Sequence, residues 1–569
     1  MNTKLLLVAA AFSVFTAMAD DTPAIRTNQV GYLPSQEKVI VFDGATPKKI
    51  VVNNKVGRTI AKPTISRTAI SAFTGKTRAI VDVSSITTPG IYTIEGDGLK
   101  GTFEVKSNAL RPLSTAAAKA FYLMRSGEPI LPQHAGIYAR PAAHPDTLVL
   151  IHPSAASESR PTGTRISSPW GWYDAGDYNK YIVNSAFTIG LMLAVYQQVP
   201  QYFATLDLNI PESGNKTADL LDEIMFNLKW MVTMQDPGDG GVYHKLTTPN
   251  FEGFVMPTEC HQQRYVVKKT TTATLDFAAV MAQAAKVYEG SADYPAFHDQ
   301  AIKAAEAAYE WSKAHPSVFY RQDMMNRSFE PKVNTGTYDD MSAKDEWFWA
   351  ATQLYLATGK ASYLEDARQN APEKFDIPVW GNLSGLGLYA WLSSPTSDLR
   401  DKALTLVGDF ARKAHERVGT SCFQSPFGDQ ASDFGWGCLA EGFCSPAVAL
   451  LFADKYIEKG AYRADAQRTL DYILGRNPLG YCYVTGFGKK SPMHPHQRIS
   501  SADGIVSPMP GLLVGGPNPG QQDKGSGLTY PSNAPDESYL DEEGSYASNE
   551  IAINWNASLV ALVAWLDAW

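Results

Sequence analysis

Cysteine is scarce in this chain: Cys260, Cys422, Cys438, Cys444 and Cys482 are the five in 569 residues. An odd, widely spaced set excludes a dense disulfide framework. Cys438 and Cys444 could pair, and at least one thiol is expected to stay free. No C-x-x-C pair or His-rich spacing suggests a structural zinc. Basic charge is also short, with 50 Lys and Arg against 58 Asp and Glu and a net charge of −8. The clustered basic face of a nucleic-acid binder is therefore not expected. Past the N-terminus no stretch approaches the ~18 uninterrupted apolar residues of a membrane span.

What is present begins with an address. Lys4 precedes an apolar run from Leu5 to Phe15, then Ala17-Met18-Ala19 before Asp20, the pattern of a cleaved secretory signal at 1–19. A soluble product exported to the periplasm or medium is expected, and a monomer. Hydrophobic residues make up 44%, enough for a large core in more than one domain. Aromatics reach 11%, which suits either packed cores or a surface that stacks on sugar rings.

Two regimes divide the chain near Ser107. Between Arg26 and Lys106 lie short β-rich runs, 38–42, 49–52, 78–83, 91–95 and 101–105, separated by Gly, Asn and Pro. They predict a small all-β sandwich over 20–107. From Leu110 the pattern turns helical. Leu220, Leu221, Ile224, Met225, Leu228 and Met231 recur at three- and four-residue steps, one face of a helix. Ten further stretches read as helices: 113–125, 184–198, 271–288, 295–314, 343–357, 383–393, 399–416, 445–459, 464–474 and 550–567. About a dozen helices paired inner and outer would close an α/α barrel over 108–569, with a cleft among the loops at one end. The segment from Asn477 to Asn549 resists assignment. A compact domain rarely keeps so long an irregular loop unless the loop is functional.

Two acidic clusters carry the chemistry. Asp174-Ala-Gly-Asp177 sits in an aromatic setting, and Glu550 lies far downstream in Tyr546-Ala-Ser-Asn-Glu550. Inverting hydrolysis of a glycosidic bond needs a protonated carboxyl to feed the leaving oxygen and an ionised one to deprotonate water on the other face. Asp174 and Asp177, three residues apart, can converge on one water, one removing its proton and the other orienting it. Glu550, placed at the start of the last helix beside Tyr546 and Ile551, is the expected acid, because a less polar setting raises a carboxyl pKa.

At these residues the chain resembles glycoside hydrolase family 9, the inverting cellulases and related β-glucanases. The likeness lies in Trp172-Tyr-Asp-Ala-Gly-Asp-Tyr-Asn-Lys-Tyr181, in Tyr483-Val-Thr-Gly-Phe-Gly488 continuing to Pro495-His-Gln-Arg498, and in Tyr539-Leu-Asp541 with Tyr546 and Glu550, closing with Asn556-Ala557. It implies a multidomain fold, an N-terminal all-β immunoglobulin-like sandwich followed by an all-α (α/α)6 barrel. Asn28-Gln-Val-Gly-Tyr-Leu-Pro34 is similar to the opening of such a sandwich, whose expected role is to pack on the barrel. The resemblance implies Asp177 as base, Asp174 as its partner and Glu550 as acid. It implies His496, Arg498 and Tyr546 as sugar-binding residues and Asp541 as a further active-site carboxylate, and Trp436 is a candidate stacking platform.

Cys482 stands where the family usually has Ser, Thr or Val, a departure of little consequence. His134, His144 and His152 lack the cysteines with which some relatives hold zinc, so zinc is not expected. Asp340, Ser342, Asp345 and Glu346 resemble a family calcium loop of hard oxygen ligands; no cofactor is required for the chemistry. The resemblance implies a β-glucan or cello-oligosaccharide substrate, with endo-β-1,4-glucanase action expected. Exo action as a β-glucosidase or cellobiohydrolase is the alternative, and a non-catalytic glycan-binding protein would have no reason to keep the acid and base together.

Overall fold

Each of the five β-rich runs is a strand in the computed structural model, which describes residues 22–569. The proposed signal segment lies outside the described residues. Strands β1 (Ala24–Arg26), β2 (Val39–Asp43), β3 (Ile50–Asn54), β4 (Thr59–Ala61), β5 (Ile65–Ile70), β6 (Thr77–Asp82), β7 (Gly90–Gly96) and β8 (Leu99–Val105) form two four-stranded sheets, ordered β1-β2-β6-β5 and β4-β3-β7-β8. β2 is buried along its whole length. Ile40 and Phe42 fill the sandwich core, while Val39 and Val41 point the other way and join the core of the helical domain. That division explains the unbroken apolar run, since a strand covered on both faces needs no polar alternation.

The sandwich is tied to the helices by polar contacts from its opening motif. The Asn28 amide donates to Asp471 (2.8 Å), Gln29 Nε2 donates to the Gly480 carbonyl (2.7 Å), and Gln29 Oε1 accepts from the backbone of Lys489 and Lys490. Arg78, fully buried on β6, pairs with Asp43 at 3.0 Å and Asp536 at 3.5 Å and lies over Phe423. Asp536 belongs to the long loop that leads to Glu550. The sandwich thus fastens the segment carrying the second acidic cluster.

Among the described residues, twelve helices of nine residues or more build the second domain. They are α1 (Arg111–Leu123), α2 (Ile182–Tyr196), α3 (Asp219–Thr233), α4 (Thr271–Val287), α5 (Phe297–Ala314), α6 (Lys344–Thr358), α7 (Ala361–Asn370), α8 (Ser384–Leu392), α9 (Asp398–Val418), α10 (Ser445–Tyr456), α11 (Arg463–Ile473) and α12 (Ile553–Asp567). α2, α4, α6, α8, α10 and α12 form the inner ring of an (α/α)6 barrel, each packed on an outer partner. Inner helices have no polar face: α12 is buried from Ile553 to Leu566, as expected where every side meets protein.

Three sequence expectations change here. α7 was not foreseen, because it buries only Tyr363 and Ala367 and so carries little apolar periodicity. The last helix starts at Ile553 rather than at Glu550: a short helix, Tyr546–Asn549, ends there, and Glu550 is extended at φ −70°, ψ 157°. All five cysteines are free thiols, so Cys438 and Cys444 do not pair. A small sheet lies at one mouth of the barrel, made from β9 (Val149–Ile151), β10 (Arg165–Ile166), β11 (Lys180–Tyr181), β12 (Lys245–Thr247) and β13 (Tyr265–Val266).

Candidate active site

The two acidic clusters meet at Gly176. Its N–H donates to Glu550 Oε1 (3.3 Å), and its carbonyl accepts from Arg498 Nη1 (2.7 Å). A Cβ at this position would come within 2.4 Å of the His496 carbonyl and 3.1 Å of Glu550 Oε1. The glycine between the two aspartates is there because three functional segments close on its backbone. The loop is held from below as well, since the carbonyl of Asp174 accepts from the Ile553 N–H at the start of α12 (2.8 Å).

Asp174 and Asp177 differ in how their oxygens are used. Asp174 Oδ1 accepts from Asn184 Nδ2 (2.6 Å) and Oδ2 from Tyr338 Oη (2.6 Å), so both are occupied. Asp177 Oδ2 accepts from Asn179 Nδ2 (2.6 Å) and Tyr181 Oη (3.0 Å), while no protein donor reaches the buried Oδ1. Asp177 therefore has a free lone pair for a water proton. Asp174 is rigid and, pushed upward by burial and then by the charge of Asp177, is suited to orienting that water.

Glu550 faces the same space with its carboxyl raised to about 8, by burial first and the charge of Asp177 second. At neutral pH it carries a proton to give. The extended backbone pairs Glu550 with His496, and the N–H of Gly515 donates to the Glu550 carbonyl (2.9 Å). These bonds aim the acid.

His496 Nδ1 lies 2.7 Å from the carbonyl of Glu543, which can only accept, so Nδ1 carries the proton and Nε2 is an acceptor. Burial lowers its pKa, keeping the ring neutral. Arg498 donates through Nε to the Glu252 carbonyl (2.8 Å) and lies 5.4 Å from the ring centroids of both Phe251 and Phe254. Tyr546 and Trp436 face each other at 5.5 Å on the cleft wall, and Trp436 is 44% exposed.

Asp541 is placed differently from the sequence expectation. Its oxygens accept from Tyr481 Oη (3.0 Å), Asn549 Nδ2 (3.0 Å) and the backbone N–H groups of Met493 and His494 (2.9 Å each). It braces the loop behind the cleft, and four donors leave it little capacity for a sugar.

The cleft holds about 790 Å³, and its walls include residues to which sequence reasoning gave no role: Tyr181, Tyr338, Trp380, Glu441, Asn554 and Trp555. Tyr338 adopts a left-handed φ of 48° and stands edge-on to Trp380, backbone strain of the kind that gathers at functional sites. Glu441 sits on a π-helical turn, Leu439–Cys444, leading into α10. Burial raises its carboxyl to about 7, partly offset by a hydrogen bond from Trp555. Such turns insert one extra residue into a helix and re-aim a side chain; a π turn leaves no periodic mark in the sequence.

Of the loop residues read as calcium ligands, Asp345 and Glu346 lie in the first turn of α6 and Ser342 is exposed. Asp345 Oδ2 accepts from the Leu383 N–H (2.7 Å). Glu346 Oε2, Asp340 Oδ2 and both oxygens of Asp276 on α4 are buried without partners. Asp276 and Glu346 are pushed upward by burial first and by the neighbouring acids second. Among the described residues no three of these groups stand at metal-ligand spacing.

Known proteins share this architecture. The glycosyl hydrolase family 9 model matches residues 111–563, and the model of the cellulase N-terminal ig-like domain matches 20–100. A Bacteroides ovatus protein named xyloglucan-specific endo-β-1,4-glucanase is 52% identical over 554 residues, covering 96% of this chain and 94% of its own length. Endoglucanase D of Acetivibrio thermocellus is 31% identical, covering 95% and 83%. A solved structure described as Bacteroides ovatus GH9 superposes with a TM-score of 0.92 at 50% identity, covering 97% of this chain and 100% of that one. The chain belongs to glycosyl hydrolase family 9, a glycoside hydrolase with a cellulase-type immunoglobulin-like domain ahead of its barrel.

Proposed function

We propose that this protein is an exported, monomeric, endo-acting β-1,4-glucanase that hydrolyses with inversion, and that xyloglucan is the first substrate to try. The reading is carried by one observation: a protonated Glu550 and an Asp177 with a free Oδ1 line one cleft. Glu550 gives its proton to the glycosidic oxygen as the bond breaks. A water held by Asp174 and Asp177 loses its proton to Asp177 Oδ1 and attacks the anomeric carbon from the opposite face. Neutral His496 offers Nε2 to a sugar hydroxyl, and Arg498 fixes the Phe251 and Phe254 wall. Half-exposed rings at the rim, Phe251 and Trp436, favour a cleft that admits the middle of a chain. Xyloglucan enters through the Bacteroides ovatus relative that bears its name.

A calcium ion, if these acids close around it, would act outside the chemistry, since as they stand no three of them are at ligand spacing among the described residues. Asp276, Asp340, Asp345 and Glu346 are hard oxygen donors, and four of their oxygens have no partner. The ion would offset their mutual repulsion and tie α4 to α6.

The test is a product profile on xyloglucan, carboxymethyl cellulose, mixed-linkage glucan and cello-oligosaccharides, with NMR of the first anomer formed. Rapid viscosity loss with the α-anomer appearing first is expected. Release of short products without viscosity loss would overturn endo action, and an initial β-anomer would overturn inversion.

A further inference from the structure

Directly opposite Tyr181 in the pairing of β11 with β12 stands Lys245, a fully buried lysine that the reaction as described does not use. Its Nζ donates to Gln322 Oε1 (2.7 Å), Thr335 Oγ1 (3.0 Å) and the Gly336 carbonyl (2.5 Å). It also lies 5.5 Å from the ring centroid of Tyr181 and 5.3 Å from that of Tyr320. The three acceptors are neutral. A lysine that fills its donors with neutral oxygens in a dry site is costly to bury, so its charge calls for a reason.

The reason is visible one shell further out. Gly336 begins the short wall that ends in Tyr338, whose hydroxyl holds Asp174. Tyr181 holds Asp177. The two tyrosine rings touch at 4.8 Å, and a Cβ on Gly336 would come within 2.9 Å of the Tyr181 hydroxyl oxygen. One ammonium therefore fastens the wall that supplies the first tyrosine and lies against the ring of the second. Both water-activating carboxylates are supported through Lys245.

Its electrostatic surroundings point the same way. Burial lowers the lysine to about 7, and the acids acting on it are Asp177 first and Asp339 second. His244, the residue just before β12, is pushed down to about 3 by burial and then by Lys245 itself, and so adds no charge. Tyr181, Tyr320 and Tyr338 are raised by burial and stay neutral. The lysine's charge on this side of the site acts on Asp177 and Asp339.

We propose that Lys245 is a positioning residue for the water-activating aspartates: its ammonium fixes the Thr335–Tyr338 wall and sets a positive charge behind Tyr181 and the base that this tyrosine holds. The proposal rests on Asp177 acting as the base. The full-length protein and its Lys245→Gln, Lys245→Arg and Tyr181→Phe variants are compared by initial rates on a soluble β-glucan from pH 4 to 9, with melting curves as a check on folding. Gln keeps two donors and loses the charge; Arg keeps the charge.

For Lys245→Gln, kcat should fall about ten- to a hundred-fold with KM nearly unchanged, and the acid limb of kcat/KM should move up by about half to one pH unit, the direction of a lost positive neighbour. Lys245→Arg should return the acid limb toward the wild-type position. Tyr181→Phe, which removes one hydroxyl and no packing, should lower kcat and raise the acid limb in the same sense. A folded Lys245→Gln with wild-type kcat and acid limb overturns the proposal, as does a defect confined to KM. Should Lys245→Gln not fold, a Tyr181→Phe enzyme with the wild-type profile overturns it equally. Wild-type protein inert on every glucan would overturn the functional reading and this one with it, whereas wild-type turnover with unaffected variants overturns this one alone.

Discussion

Replacing Glu550 by Gln should remove turnover and stabilise the protein at alkaline pH in one stroke. The carboxyl is raised from 4.5 to about 8 because burial and Asp177 disfavour its charged form. A carboxyl raised on folding binds its proton in the native state while the unfolded chain has already released it. Its contribution to stability is full below the unfolded pKa and falls as pH rises, until it is lost at the folded pKa. At 1.36 kcal/mol per unit, the interval from 4.5 to 8 corresponds to about 5 kcal/mol. Partial exposure to the cleft reduces that to roughly 2–4 kcal/mol. Glutamine occupies the same volume, keeps an oxygen for the Gly176 N–H and does not ionise. Urea unfolding at pH 5 and pH 8 should show wild type losing this increment relative to Glu550→Gln, while kcat at pH 6 falls by about 10² to 10⁴. The basic limb of the wild-type rate profile should lie near 8. Equal pH dependence of stability in the two proteins would refute the buried, protonated acid, and retained turnover would refute its role.

Gly176→Ala should cost about 1–3 kcal/mol of stability and most of the activity, since the new methyl meets a backbone carbonyl at 2.4 Å; an unchanged melting curve and rate would show that the acidic loops do not close as described. Chelation by EDTA should lower the melting temperature by several degrees, with recovery on adding calcium, because repulsion among Asp276, Asp345 and Glu346 is then unrelieved; no change would remove the ion from the reading. Glu441→Gln should raise KM on oligosaccharides several-fold with little effect on kcat, since Glu441 lines the cleft and its carboxyl is influenced by burial and Trp555 rather than by the reacting acids; a loss confined to kcat would place it in the chemistry instead.

Much of this fold is legible because its elements obey one period each. The two-sided strand β2 reads as a continuous apolar run, and the faces of α3 recur at three and four residues. α7 escapes because a helix with two buried residues presents almost no stripe. At the site, Asp174, Asp177 and Glu550 are legible because the chemistry demands carboxyls at fixed relations and because a resemblance names them. Their supports are not. Tyr338 is brought to Asp174 from 164 positions away, and no periodicity or spacing in the chain forecasts that encounter. Glu441 depends on an inserted residue in a helix, which propensity does not reveal. Asp541 shows the converse, a carboxylate read as a further active-site group whose oxygens are taken up by four donors of the chain itself.

The spacing of the two acidic clusters in sequence also has a mechanical meaning. Asp177 precedes α2 and Glu550 precedes α12, and these inner helices pack side by side. A barrel that closes on itself therefore brings the beginning and the end of its own chain together at one rim. The base and the acid need opposite environments, one charged and one protonated. Closure brings them together with different partners: Asp177 accepts from Tyr181 and Asn179, whereas Glu550 accepts one backbone N–H, that of Gly176 on the aspartate loop, and is raised by burial and by Asp177 itself. Gly176 is where the two environments are separated by a single peptide. A side chain there would do more than crowd the site; it would shift the backbone that couples the acid on one side to Arg498 on the other.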